Sequence, residues 1–174
     1  MHLMIDLETL STEQNAIILN IGAIGFDPFS SNVYTQHSFY ARIDLESQPT
    51  RHESEQTLKW WMKQHKDSQE EAFGEDNRIP LNIALGEVSK LVRKSSKVWS
   101  QGVGFDIPIL ENAYKDYGYS HPWAFWDILD CRTIIKMNPG KKLRNSHHAL
   151  EDCINQIDIL QDTVKRLGIT KIGY

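Results

Sequence analysis

The sequence predicts an α/β fold in which a mixed five-stranded β-sheet is flanked by helices. Three β-rich, apolar segments follow one another at residues 2–7, 16–26 and 33–45, and Asp27-Pro28 marks a turn between the second and the third. Short strand-like stretches then alternate with helical patterns. Strands in direct succession predict an antiparallel meander, and strands separated by helices predict parallel pairing.

The later elements follow from apolar periodicity. Helices are expected at residues 54–65, 81–92, 106–117 and 148–167, with Ser54 as an N-cap and Gly118 and Gly168 as C-terminal stops. Residues 97–100 predict a fourth strand, and residues 128–134 a fifth strand or a strand–helix junction. Polar residues 67–80 are expected to form a loop with at most a single helical turn, and residues 138–146 a basic loop.

Composition narrows the class of protein. A chain of 174 residues, 40% of them hydrophobic, suits one globular domain over residues 1–174. The net charge of −4 provides no general basic field, so binding to a nucleic acid would need a local basic patch. Two cysteines are too few for a disulfide framework, and no apolar run approaches the roughly 18 residues of a membrane span. Because the first residues do not resemble a signal peptide, a cytoplasmic location without membrane contact is expected.

Asp6 and Glu8 stand at the end of the first predicted strand. Residues two apart on a strand point to the same side, so both carboxylates should emerge together. Two anions side by side in a mostly dry place repel each other unless a cation or a proton joins them. The pair therefore indicates either a divalent-cation site with oxygen ligands or a solvated strand end without an ion.

Asp106 follows a short strand and the bend Gly102-Val103-Gly104, and it begins a predicted helix. Pro108 suits the first turn of that helix, and the helix dipole favours an ionised carboxylate at Asp106. Taken singly, Asp106 is more typical of an N-cap than of a metal ligand. The two glycines do not make a dinucleotide-binding fingerprint, because the third glycine of that motif is absent.

His147 and Asp152 lie at the start of the last predicted helix. Their spacing turns a helix by about 140°, so His147 is expected in the loop or the first turn, and Asp152 one turn further on. Both can then face one site, where a histidine can act as a general base at neutral pH. Carboxylates without thiolates favour Mg²⁺ or Mn²⁺, whereas a zinc site would require three or four closely spaced His or Cys ligands.

Three segments occur in this order along the chain: Asp6-Leu7-Glu8-Thr9, Phe105-Asp106 and His147-x-Ala149-Leu150-x-Asp152. Together they resemble the exonuclease motifs of the DEDDh, or DnaQ-like, superfamily of 3′-5′ exonucleases, whose fold is ribonuclease-H-like. Residues 57–61, 99–112, 122–126 and 130–133 are similar to the group that contains the T-even phage exonuclease DexA and the small mycobacterial-type exoribonucleases. The likeness extends over nearly the whole chain.

The resemblance implies that four carboxylates hold two Mg²⁺ ions, which Mn²⁺ can replace: Asp6, Glu8, Asp106 and Asp152. Asp6 would bridge both ions, and His147 would deprotonate the attacking water. Substrate contacts are implied at Thr9, Leu10, Gln101 and Phe105; Gln101 stands where this group usually carries Asn. The implied partner is the 3′ end of single-stranded DNA or RNA, in a bacterial or phage-infected cytoplasm, with a homodimer as a further expectation.

Residues outside the motifs add candidate contacts. Trp60 could stack on a base, an interaction worth about 1–3 kcal/mol, whereas Trp61 and Trp126 are expected in the core. Lys142 and Arg144 precede His147 and could bind phosphates or remain solvated loop charges. Two other functions share the predicted fold: a nucleic-acid-binding module that has lost its chemistry, and an endonuclease or recombinase of the same fold class.

Overall fold

The computed structural model describes residues 1–138, 140–144 and 146–172. Its strands are β1 (His2–Thr9), β2 (Ile18–Phe26), β3 (Val33–Arg42), β4 (Val98–Ser100) and β5 (Ile128–Asp130). They form one sheet in the order β3-β2-β1-β4-β5. The β1–β2 and β2–β3 pairs are antiparallel, and the β1–β4 and β4–β5 pairs are parallel. The predicted mixed, helix-flanked sheet is confirmed.

The helices are α1 (Glu55–Trp61), α2 (Lys66–Phe73), α3 (Leu81–Val92), α4 (Asp106–Asp116), α5 (Cys131–Lys136) and α6 (Ala149–Arg166), with a 3₁₀ turn at Phe125–Asp127. Ser54 caps α1 as expected, since its side chain accepts a hydrogen bond from the Thr57 N–H. The strand–helix junction predicted over residues 128–134 is confirmed by β5 and α5. Among the described helices, none combines the length and the apolar character that a membrane crossing requires.

The prediction of a loop over residues 67–80 is wrong for its first half, because helix α2 extends to Phe73. The sequence of α2 is polar, and Ala72 is its one buried residue, so the apolar periodicity that reveals a helix is missing. Tertiary contacts stabilise the helix instead: Glu71 forms a bidentate pair with Arg42 of β3 and accepts a hydrogen bond from Tyr40. The predicted loop 138–146 includes residues 139 and 145, which lie outside the described residues.

Strand β1 has one wholly apolar face and one face that changes character along its length. Leu3, Ile5 and Leu7 pack with α3 and α4 in the larger core cluster. Met4 points to the opposite side and packs with α5 and α6 in a second cluster. Because alternate residues of a strand share a side, Asp6 and Glu8 follow Met4 on the α6 side of the sheet. The acids of β1 therefore emerge beneath the last helix.

Helix α6 approaches the sheet most closely at Gly22 of β2. A Cβ atom at this position would lie 2.3 Å from the carbonyl carbon of Ala149, which is backbone and cannot rotate away. The Cys153 thiol also donates a hydrogen bond to the Gly22 carbonyl at 3.5 Å. The absence of a side chain at Gly22 thus lets the first turn of α6 lie directly on the sheet.

We expect Gly22→Ala to lower the free energy of unfolding by about 1–3 kcal/mol, the usual cost of overpacking, because the added methyl group displaces α6. The measurement is urea denaturation. The control is Gly86→Ala in α3, where an added Cβ meets nothing within 4 Å. That change should raise stability by about 0.5–1 kcal/mol through helix propensity. Equal stability of Gly22→Ala and the unmodified protein would contradict the close approach.

Candidate active site

One cavity of about 240 Å³ brings the predicted acids together. It is lined by all four carboxylates and the imidazole that the motifs single out: Asp6, Glu8, Asp106, Asp152 and His147. The cavity lies at the carboxyl ends of β1 and β4, the edge at which parallel α/β sheets bind their ligands. The predicted convergence of these side chains is therefore observed, while their catalytic roles stay predictions.

Asp6 and Asp106 form the inner part of the cluster. Burial, reinforced by the carboxylates of Asp106 and Glu8, holds the pKa of Asp6 well above its usual range. Burial likewise raises the pKa of Asp106 to about 7, even though the Leu7 N–H donates a hydrogen bond to its Oδ1 at 3.2 Å. Phe105, not Asp106, holds the N-cap position of α4, so the capping role considered for Asp106 is not the one it takes.

Glu8, His147 and Asp152 form the outer part of the cluster. One ligand atom of each lies within 4.8 Å of the other two. His147 Nδ1 is 3.6 Å from Glu8 Oε1, and the neighbouring Glu8 carboxylate raises the pKa of His147. His147 also has a positive φ of 58°, an uncommon backbone conformation for a residue other than glycine.

Asp152 supports the turn that carries His147. Its Oδ1 accepts hydrogen bonds from the Ser146 N–H at 2.7 Å and the Ser146 hydroxyl at 3.1 Å, and its Oδ2 accepts one from the His147 N–H at 3.0 Å. These bonds stabilise the left-handed backbone at His147. Asp152 thereby positions the imidazole as well as contributing a carboxylate to the cavity.

Gln156 is a site residue that the sequence interpretation missed. Its side chain is 1% exposed, and its Nε2 donates a hydrogen bond to Asp6 Oδ1 at 2.8 Å. Its Oε1 faces the Cys131 thiol at 3.9 Å, which fixes the orientation of the amide. Helix spacing could have revealed it, since Gln156 lies four residues after Asp152 and therefore on the same face of α6.

A second layer holds the His147 turn from the side of β3 and α2. The ring of His148 stacks on Tyr40 with centroids 4.2 Å apart, and its Nδ1 accepts a hydrogen bond from the Glu151 N–H at the start of α6. Ser68 of α2 donates a hydrogen bond to the Ser146 carbonyl at 3.0 Å. The helix α2 thus contributes directly to the support of the site.

A second cavity of about 380 Å³ adjoins the acidic one. The two share Leu7, Glu8, Trp60 and Phe105 in their walls. Thr9 lines only the second cavity. Trp60 is 43% exposed and meets the His147 ring edge to face, with centroids 5.0 Å apart. We call this the side cavity; its volume lies within the range of about 300–1,000 Å³ that is typical of small-molecule sites.

Leu10, an expected substrate contact, and Trp126, an expected core residue, are placed differently from these expectations. The Leu10 side chain is 3% exposed and packs in a small core cluster, and its backbone N–H and carbonyl are bonded to Ile17 and Ser54. The Leu10 side chain therefore presents little surface to a substrate, and its substrate contact stays a prediction. Trp126, expected in the core, is 58% exposed because it precedes the edge strand β5, whereas Trp61 is buried as expected.

The remaining contacts are divided between the cavity and its surroundings. Gln101 lines the acidic cavity as expected. Lys142 and Arg144 are exposed and line neither the acidic nor the side cavity. The cavity includes a different basic residue, Arg132, and its guanidinium donates a hydrogen bond to the Gln101 carbonyl at 2.9 Å. Asp130 Oδ1 accepts hydrogen bonds from the backbone N–H groups of Gly102 and Arg132.

The donor set fits hard divalent cations. Clustered carboxylates with raised pKa values need protons or cations to balance their charge, and oxygen donors suit Mg²⁺ and Mn²⁺. The buried amide of Asn20, which pairs with Glu8 in the sheet register, has no hydrogen-bond partner among the described residues. Both cysteines are buried within the second core cluster, so they offer no thiolate ligand to a softer metal.

Solved nuclease structures share this fold. Exonuclease X, solved in complex with 5′ overhanging duplex DNA, matches with a TM-score of 0.62 and 16% identity over 97% of this chain and 93% of its own. S. pombe Pop2p, in its Mg²⁺ and Mn²⁺ bound form, matches with a TM-score of 0.62 and 14% identity over 99% and 86%. Cell-death related nuclease 4 matches with a TM-score of 0.56 and 11% identity over 97% of this chain, which spans only 64% of that protein. The fold is that of the ribonuclease-H-like exonucleases. The fold and the acidic cavity together are typical of this class of protein.

Sequence comparison identifies the family within that class. The exodeoxyribonuclease of Enterobacteria phage T4 is 25% identical over 158 residues, which cover 76% of this chain and 70% of the phage protein. The 3′-5′ exoribonuclease Rv2179c-like domain family matches residues 1–164. The chain belongs to this family, and it is a 3′-5′ exonuclease of the DEDDh type.

We expect Gln156→Leu to weaken Mn²⁺ binding by about 10–100-fold, because Asp6 loses the donor that holds its carboxylate in place. Isothermal titration calorimetry gives the affinity without turnover. The control is Gln161→Leu on the same helix, whose amide bonds instead to the carbonyls of Asp27 and Asn32. Equal Mn²⁺ affinity in both variants would show that Gln156 does not support the site.

Proposed function

We propose that this protein removes nucleoside 5′-monophosphates one at a time from the 3′ end of single-stranded DNA or RNA. Two divalent cations, Mg²⁺ or in its place Mn²⁺, would be held by four carboxylates: Asp6, Glu8, Asp106 and Asp152. The observation that carries the proposal is the single cavity that all four line together with His147. A protein that only bound nucleic acid would gain nothing from burying four carboxylates that repel one another. Uncompensated carboxylates would also repel the polyanionic strand.

The cations would supply Lewis-acid stabilisation of the attacking and leaving oxygens. The residues of the chain prepare the site for them. Gln156 holds Asp6 by its Oδ1, and the Leu7 N–H holds Asp106 by its Oδ1. These bonds fix the direction in which the remaining lone pairs point, which supports a defined pair of ion positions.

His147 is proposed as the general base. Its ring lies at the edge of the cavity between Glu8 and Trp60, and the turn that carries it is bonded to Asp152. A neutral imidazole at this place can accept the proton of a water molecule that attacks the phosphate. Glu8, which raises the pKa of His147, would hold the proton-bearing form of the ring after the transfer.

The side cavity supports removal of terminal nucleotides. It adjoins the acids through Glu8, and Trp60 and Phe105 provide apolar surfaces on which a base can stack. A last nucleotide held there would place its 5′ phosphate at the acidic cavity. The stacking surfaces require an unpaired base, which favours a single strand over a duplex end.

Some features of the proposal rest on the sequence alone. A single exonuclease domain over residues 1–174, a cytoplasmic location and pairing into a homodimer stay predictions. The second candidate, a binding module with weak catalysis on the same fold, would keep the side cavity without needing His147 beside the acids.

We expect stepwise products from the 3′ end when labelled single strands are incubated with Mg²⁺, and none with a chelator or with Asp6→Ala. The 5′ label should give a ladder that shortens with time, and the 3′ label should appear at once as a mononucleotide. Circular dichroism checks that Asp6→Ala remains folded. Internal cuts would indicate an endonuclease, and binding without products would indicate the binding module.

We expect His147→Ala to lower kcat by about 10²–10⁴-fold on a single-stranded substrate, the usual contribution of a general base. The control is His148→Asn, which replaces the neighbouring ring but keeps a residue that can cap α6. Initial rates at saturating Mg²⁺ distinguish the two variants. A loss below threefold in His147→Ala would mean that no side chain at this position takes the proton.

A further inference from the structure

Arg132 is the one arginine or lysine in the wall of the acidic cavity, among the residues that the structure describes. It lies in the first turn of α5, directly after β5, and is exposed to solvent. The other charged groups in the wall are the four carboxylates and, when protonated, His147. A nucleic acid strand carries one negative charge per linkage. The phosphodiester group is therefore the ligand that suits the positive charge of Arg132 beside these acids.

The guanidinium of Arg132 is held in place by the chain around it. Its Nη2 donates a hydrogen bond to the Gln101 carbonyl at 2.9 Å. The group lies against Gly102, where a Cβ atom would come within 2.6 Å of Nη2. Gly102 has a φ of 98°, which favours glycine, and its N–H is bonded to Asp130. The loop after β4 is therefore shaped to receive the guanidinium.

Most donors of Arg132 remain available. A guanidinium has five N–H groups in a planar fork that matches the oxygens of a phosphate. No carboxylate of the described residues lies within 4.0 Å of it. A cation that is oriented by a backbone carbonyl, without an ion pair, can bind an anion without first breaking a salt bridge.

The position of Arg132 indicates which phosphate it meets. The side cavity and the acidic cavity share Leu7, Glu8, Trp60 and Phe105, whereas Gln101 and Arg132 line only the acidic one. With the last nucleotide in the side cavity and the scissile phosphate at the acids, the strand must continue away from the side cavity. Arg132 lines the part of the acidic cavity that the side cavity does not share, and it is the residue there with a permanent positive charge to meet a phosphate.

We propose that Arg132 binds the phosphate of the linkage immediately 5′ to the scissile bond. This is the second linkage from the 3′ end, and Arg132 recognises its negative charge. This assignment rests on the proposed 3′→5′ exonuclease function. Arg132 contributes to trinucleotides and longer strands, which have this second linkage, and it contributes nothing to a dinucleotide without terminal phosphates. Arg132 therefore distinguishes the last cleavage of a strand from all earlier ones.

The test compares three substrates: a dinucleotide, a trinucleotide, and the same trinucleotide with an uncharged methylphosphonate at the second linkage from the 3′ end. Arg132→Gln removes the charge and retains a hydrogen-bonding amide. Arg132→Lys retains the charge without the fork. The matched control is Lys136→Gln, which removes one positive charge from the same helix at an exposed position outside the cavity. Thermal denaturation checks that each variant is folded.

We expect Arg132→Gln to lower kcat/KM for the trinucleotide by about tenfold or more, in line with the loss of a hydrogen bond to a charged group. The methylphosphonate should cause a similar loss in the unmodified protein and little further loss in Arg132→Gln, because both changes remove the same contact. Arg132→Lys should retain part of the rate. Dinucleotide cleavage should change less than twofold in every variant.

Two results would overturn the assignment alone. Equal losses of Arg132→Gln on all three substrates would mean that Arg132 acts by shaping the Gln101 loop. A loss on the trinucleotide no larger than that of Lys136→Gln would mean that it makes no contact with the strand. If the unmodified protein removes nothing from any 3′ end, the proposed function itself is wrong, and the role proposed for Arg132 is then wrong as well.

Discussion

Repulsion among carboxylates is the constraint on which the rest of the structure depends. Burial raises the pKa of both Asp6 and Asp106, and the carboxylates of Asp106 and Glu8 raise that of Asp6 further. The chain limits this cost with donors that point inward, the Gln156 amide and the Leu7 N–H. These donors do not remove the repulsion, and the negative charge that remains is of the kind that divalent cations with oxygen ligands would neutralise.

One strand and one helix carry both the core and the site. On the α6 side of β1, the side chains change from apolar at Met4 to acidic at Asp6 and Glu8, while the pairing with β2 stays regular up to Glu8. The site therefore begins where the second core cluster ends. Helix α6 shows the same division, with Asp152 and Gln156 near its start and Leu160 and Val164 further along the same buried face. The close approach at Gly22 fixes the two elements against each other, and with them the acids that they carry.

The walls of the acidic cavity and of the adjoining side cavity differ in chemical character. Aromatic surfaces and hydroxyl groups lie on the side of Glu8, and Arg132 lies on the side of Gln101. A strand bound as proposed would meet a place for a base at one end and a place for a phosphate at the other. Under the proposed binding mode, this asymmetry would favour removal of terminal nucleotides over cleavage inside a strand.

The sequence by itself determined the local geometry. The period of a strand places Asp6 and Glu8 on one side, the Ser54 cap and the glycine stops bound the helices, and the motif order identifies the family. These results depend on neighbours along the chain, which the sequence contains directly.

Only the tertiary structure decided which of these faces meet. Asp6 lies 150 residues from Gln156, and their contact depends on packing that no local pattern encodes. The same holds for α2, whose polar sequence becomes helical through its contact with Arg42, and for Leu10, which a motif places near the substrate and the fold buries. Burial and long-range pairing are properties of the whole chain, because the free energy of each contact depends on surfaces that distant segments supply.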